Sequence, residues 1–307
     1  MLARKILKSF FMYMVVMMLI VLIVFFPRQL DVTLVEGVMQ FDYSFSWINY
    51  YENLKQFFTY AFENKSLGVV QGWMTVEQTL GFFLPQSLKV IFAAFVISIF
   101  IGIYKGIFDY KQTNRRTSFL GNGTTFMIQA IPDFFLIILT ILVVITFFPF
   151  IPIFSQGEWY SFIIPSIIVS IYPTLYIARI TSTLISNEDG MQYIQVAKAK
   201  GLTNRMVLYR HMLRNCYGTI LSHCSSVMLL IISNLLMVEY LLGYKGAAYR
   251  LFEALSHSTV IVVGQRHNFE GELIIGISFC FLVIVLLSRI ISELASSYLD
   301  PRRKESI

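Results

Sequence analysis

Of 307 residues, 56% are hydrophobic and 14% charged, well below the roughly 25% charge with which a globular domain wets its surface. The apolar residues fall in blocks long enough to cross a bilayer, about 20 residues each, so a soluble domain is excluded and a polytopic membrane protein is expected. The net charge of +6 lies between those blocks and forms no basic stripe with interleaved aromatics, which argues against a nucleic-acid partner.

In chain order, the first apolar run, 10–26, follows Arg4, Lys5 and Lys8. It outlasts the roughly 7–15 apolar residues of a signal-peptide core and ends in Phe26-Pro27-Arg28 without a small-residue cleavage site. Residues 1–30 therefore read as an N-terminal end plus a retained first helix. Residues 31–87 read as a long extracellular loop with helix-like patches at 54–62 and 76–83 and no regular strand alternation, so short external helices are expected. Five further spans, 88–108, 124–148, 162–184, 217–242 and 273–291, make a core of 88–307. Pro85 and Pro132 are expected at helix N-terminal positions, and Pro165 and Pro173 predict a kink in the fourth span.

Charge sets the orientation. Segment 104–123 carries Lys105, Lys111, Arg115 and Arg116 against Asp109, and segment 179–216 carries six basic residues against Glu188 and Asp189. The tail adds Arg289, Arg302, Arg303 and Lys304, whereas loop 31–87 has six acids against Lys55 and Lys65. By the positive-inside rule both termini are cytoplasmic. The predicted fold is all-α, with six transmembrane helices, N-in and C-in.

Catalytic chemistry is not expected. The chain has no G-x-x-x-x-G-K-[ST] run to cradle nucleotide phosphates. Cys216, Cys224 and Cys280 lack metal spacing and read as packed, reduced thiols, while His211, His223, His257 and His267 lie far apart. No catalytic, metal or cofactor site is assigned. Lys89, Asp133, Arg179 and Glu239 fall at span ends, so the spans offer little to bind a coupling ion. Energy would then come from a partner.

The polar island is segment 187–215. Asn187 is a plausible N-cap with Glu188 and Asp189 in the first turn. The helix would close at Gly201 in a left-handed conformation. Thr203 would cap the next helix, with Leu202 and Val207 spaced as a hydrophobic staple. Ala197, Ala199 and Gly201 are small enough for a partner to approach the backbone. The residues alone fit either a rigid partner-docking protrusion or an amphipathic helix resting on anionic headgroups through Lys198, Lys200, Arg205 and Arg210.

The same segment resembles the "EAA" loop of ABC-importer permeases, with Gln195, Val196, Ala197 and Gly201 in place of E-A-A-x-x-x-G. It is similar above all to the oligopeptide/dipeptide permease family, through Ala197-Lys198-Ala199-Lys200-Gly201-Leu202 and Arg210-His211-Met212-Leu213-Arg214-Asn215. Further likenesses follow in order: Leu84-Pro85-Gln86-Ser87-Leu88, Ile131-Pro132-Asp133-Phe134-Phe135, Ala178-Arg179-Ile180-Thr181, the stretch from Glu239 to Gly246, and Leu299-Asp300-Pro301-Arg302. Asp133, Lys245 and Ala248 depart from the pattern, a proline is missing after Asn215, and segment 256–272 matches poorly.

The resemblance implies a type I ABC-importer permease in a bacterial cell membrane, lacking enzymatic activity of its own and forming half of a pore for peptides. It implies a homologous second permease, two cytoplasmic ATPases and an extracellular substrate-binding protein as partners, besides the lipid bilayer. The coupling residues would be Gln195, Ala197, Ala199, Gly201, Leu202, Arg210, His211 and Arg214. Glu239, Gly243 and Gly246 would belong to an outer gate loop. Nickel or another small solute as cargo, or a gradient-driven carrier, are the alternative readings.

Overall fold

The computed structural model describes residues 2–26, 30–35, 38–43, 45–70, 74–113, 118–154, 157–256 and 270–299. In chain order it forms α1 (Leu2–Val24), an antiparallel hairpin of β1 (Leu30–Val35) and β2 (Val38–Tyr43), α2 (Trp47–Asn64) and α3 (Val76–Gln112). A 3-10 turn at Ser118–Leu120 leads to α4 (Asn122–Gln129), α5 (Asp133–Phe147), α6 (Ile163–Asp189) and α7 (Gln192–Ala199). Next come α8 (Asn204–Met206), a π-helical stretch Val207–Met212, α9 (Leu213–Ser222), α10 (Cys224–Leu242), α11 (Ala247–Ser256) and α12 (Gly271–Leu299). Among the described residues, five helices are long and apolar enough to span a membrane, and α4 with α5 supplies a sixth if the bent pair counts as one. The protein is therefore a nearly all-helical, multi-pass membrane protein.

Several boundaries differ from expectation. Segment 31–87 holds a hairpin, with Leu30 opposite Tyr43, Val32 opposite Phe41 and Leu34 opposite Met39. The alternation is present in the sequence: these apolar residues are interleaved with Asp31, Thr33, Gln40 and Asp42. Pro85 lies inside α3, not ahead of it. The span expected at 124–148 is broken, α4 and α5 meeting at 103°. Pro132, at φ −56° and ψ 141°, causes the break: it has no N–H to continue the helix and disfavours helical backbone at Ile131. Helix α6 is a single helix from Ile163 to Asp189, with Pro165 in its first turn and Pro173 inside it.

The chain forms two compact units, Met1–Leu88 with Gly243–Leu286, and Lys89–Leu242 with Leu287–Ile307. In the first, α12 passes close to the start of α3 at Gly276, where a Cβ would lie 2.8 Å from Val76 Cγ1. Ser87 Oγ accepts the Ala247 N–H at 2.8 Å, seating α11, and Arg250 pairs with Glu270 at 2.5 Å.

In the second unit α6 is the central helix, packed by α10, α4, α5 and α9. Helix α3 meets it through Gly102 and Gly106, one turn apart. A Cβ on Gly102 would sit 2.7 Å from Ile177 Cβ, and one on Gly106 would sit 2.6 Å from the Ala178 carbonyl oxygen. Small residues at this spacing let two membrane helices bring their backbones together. Asn234 adds a buried hydrogen bond from α10 to the Val169 carbonyl at 3.4 Å.

Gly106→Leu is expected to lower the melting temperature of the detergent-purified protein, reflecting overpacking of about 1–3 kcal/mol. Gly81, where an added Cβ meets nothing within 4 Å, is the control: Gly81→Ala should not lower it. Equal melting temperatures for Gly106→Leu and the wild type would refute the close-contact assignment.

Candidate functional site

The polar island begins later than expected. Glu188 and Asp189 form the last turn of α6, and Asn187 lies within that helix, so none of them caps a new one. The chain turns at Gly190, and Met191 adopts an extended conformation (φ −75°, ψ 145°) ahead of α7. Helix α7 ends as predicted. Gly201 has φ +81°, its N–H reaches the Lys198 carbonyl at 3.0 Å, and the Leu202 N–H reaches the Ala197 carbonyl at 3.4 Å. This pair of bonds is a Schellman closure. Thr203 then caps α8, its hydroxyl accepting the Met206 N–H at 3.4 Å.

Beyond the cap lies a feature that local sequence does not signal. Val207–Met212 is π-helical, continuous with α9. The wider turn buries Val207, Leu208, Met212 and Leu213 together and leaves Arg210 and Arg214 exposed, with His211 half-buried. On α7, Gln195, Val196, Lys198 and Ala199 are exposed, as is Gly201, while Leu202 is half-buried. Ala197 departs from its expected role. It is 7% exposed and turns inward with the fully buried Ile194, so close approach to the backbone is offered by Ala199 and Gly201 instead.

Two carboxylates at the end of α6 clamp α7 in place. The Tyr193 hydroxyl donates to Glu188 and in turn accepts from Asn215 Nδ2 at 2.9 Å, tying α6, α7 and α9 together. Burial first, and then the hydrogen bond to Glu188, push the Tyr193 phenol up to about 12, so it remains a donor at neutral pH. Lys198 Nζ lies 2.8 Å from Asp189 Oδ1, and Tyr110, near the end of α3, hydrogen-bonds the same carboxylate. Lys111 Nζ sits 5.3 Å from the centre of the Tyr209 ring, a cation–π contact between α3 and the π-helical stretch.

A second polar cluster steadies the base of this assembly. Lys105 and Asp109, counted as loop charges in the sequence, lie within α3 as an ion pair whose carboxylate is fully buried. Thr125 of α4 joins both, donating to Asp109 Oδ2 at 2.7 Å and accepting from Lys105 Nζ at 3.0 Å. Asn122 bridges Thr113 and Ser182 at 3.0 and 3.2 Å, linking α4 to the end of α3 and to α6. Cys216 is buried, and burial with the charge of Glu188 pushes its thiol up to about 12, consistent with a packed thiol.

The second predicted group falls in both units. Glu239 is fully buried in α10. Gly243 has φ +64° at the end of that helix, and Gly246 is buried, its N–H reaching the Tyr244 carbonyl at 2.7 Å. Of the poorly matching segment 256–272, residues 257–269 lie outside the described residues, as do residues 300–302 of the C-terminal motif. Among the described residues no group of three or more His, Cys, Asp or Glu is placed to hold a metal ion.

Residues 98–305 match the family described as the binding-protein-dependent transport system inner membrane component. The chain belongs to that family. It is 24% identical over 223 residues to the dipeptide transport system permease protein DppB of Bacillus subtilis (strain 168), covering 72% of this chain and 68% of that protein. It is 27% identical over 177 residues to the oligopeptide transport system permease protein OppB of Salmonella typhimurium, covering 56% and 57% respectively. A chain of the MetNI methionine ABC transporter, solved in inward-facing conformations, superposes with a TM-score of 0.57 over 70% of this chain and 93% of that one. At 11% identity that likeness is one of fold.

Tyr193→Phe removes one donor and one acceptor from the clamp, worth about 1–2 kcal/mol. Amide exchange in α7 should quicken while that in α10 is unchanged. Unaltered exchange in α7 would show that the hydroxyl does not hold the corner.

Proposed function

We propose that this chain is the pore-forming subunit of an ATP-driven importer for peptides in a bacterial cell membrane. In this reading both termini are cytoplasmic, and a homologous second permease completes the pore. Two ATPases each receive the corner made by α7, Gly201 and α8, and an external binding protein delivers cargo. ATPase closure would push on the corner, and the Glu188 and Asp189 clamps would pass that push to α6. Glu239, Gly243 and Gly246 would contribute to the outer gate.

The observation that carries the reading is the corner itself: an exposed, basic, doubly capped turn anchored to the central helix. The competing headgroup reading is less well supported. A helix resting on lipid turns its apolar side outward, whereas Ile194 and Ala197 of α7 turn inward. The names of the dipeptide and oligopeptide relatives support peptides as cargo.

Ala199→Arg is the cleaner probe, because Ala199 is exposed on a regular helix while Gly201 needs its positive φ. Membrane insertion and melting temperature should match the wild type, while peptide uptake and ATPase copurification fall to background. Undiminished uptake would sink the docking assignment.

A further inference from the structure

Helix α2 carries three kinds of surface. At 100° per residue, Tyr50, Leu54 and Phe57 share one side, which packs on the end of α1. The Tyr50 hydroxyl donates to the Leu22 carbonyl at 2.9 Å, and the rings of Phe57 and Phe25 are 4.8 Å apart. Next to that seat, Trp47, Ile48, Tyr51, Phe58 and Phe62 fall within about 100° of arc, and all are exposed, Phe62 at 81%. Lys55 is the sole charge on that arc, and Glu52, Gln56 and Glu63 lie on the far side.

Position and composition together name what covers the aromatic side. The apolar part of α1, Ile6–Val24, has 19 residues. At 1.5 Å per residue it is about 28 Å long, close to the roughly 30 Å of a hydrocarbon core. Its final turn, where α2 is seated, therefore falls at the boundary between acyl chains and headgroups. Only 11% of that span is buried within the protein, which leaves its sides open to acyl chains. Trp and Tyr are the residues favoured at this depth, and a lysine among them can extend its ammonium to water along its aliphatic stem. With two acids and one base, α2 has no charge to draw it to anionic headgroups. Apolar burial is the driving force.

We propose that α2 is an interfacial helix, lying in the bilayer surface at the C-terminal end of α1 with its Trp47–Phe62 face among the upper acyl segments. The family match spans residues 98–305, so this element lies outside the matched residues. The assignment does not depend on the transport reading, and its test needs no transport.

The purified full-length chain is reconstituted in phosphatidylcholine vesicles containing a phosphatidylcholine with a photoactivatable diazirine near the carbonyl end of its acyl chain. Irradiation followed by mass spectrometry should place adducts on Tyr51, Phe58 or Phe62, as well as on the exposed residues of α1, and none on Glu52 or Gln56. The double substitution Phe58→Glu, Phe62→Glu should reduce the α2 adducts severalfold and leave those on α1 unchanged. Adding phosphatidylglycerol should have no effect. Labelled α1 with unlabelled α2 would overturn the proposal, as would α2 labelling that disappears when a copurifying protein is retained, since the face would then belong to a protein.

Discussion

Backbone contact between α3 and α6 is the constraint on which the rest of the site depends. In lipid, two apolar helices gain little by exchanging acyl chains for each other, so their association rests on close packing and interhelical hydrogen bonds. Gly102 and Gly106 provide the packing, because any Cβ there would collide with Ile177 or the Ala178 carbonyl. With the two axes fixed, Tyr110 and Lys111 at the end of α3 arrive beside Asp189 and Tyr209. The Asn122 bridge between Thr113 and Ser182 becomes possible for the same reason. A larger residue at Gly106 would displace all of these contacts at once.

The two carboxylates ending α6 make sense only in that setting. Acids at a helix C-terminus face the negative end of the macrodipole and are disfavoured there. Each is offset by a donor from α7, Tyr193 for Glu188 and Lys198 for Asp189. Charges placed against the dipole and repaid by the next helix serve to hold that helix.

This also marks where the sequence was legible. Gly201 and Thr203 could be placed because caps are local: their partners lie within five residues. The acids were assigned to the wrong helix because their position at a helix start looked favourable, while the Tyr193–Asn215 bond that completes the arrangement spans 22 residues. The hairpin at 30–43 was encoded in plain alternation but hidden in a chain whose dominant period is helical. Pro132 announced a helix start, yet the apolar run around it masked the 103° bend. The π-helical stretch has no local signature, since it follows from the need to bury Val207, Leu208 and Met212 on one side.

Two amphipathic helices outside the long apolar spans distribute their apolar residues differently. Helix α7 turns Ile194 and Ala197 against the protein and presents Gln195, Val196, Lys198 and Ala199 outward. Helix α2 uses a narrow apolar side for its seat on α1 and leaves a second, larger aromatic side uncovered. Exposed aromatic area on that scale is costly in water at about 25 cal/mol per Å², and polar headgroups alone would not relieve it. Reading only the amphipathic pattern would send both helices to the membrane surface. Asking which side the protein already covers separates them: α7 turns Ile194 and Ala197 inward, whereas α2 leaves its larger aromatic side uncovered.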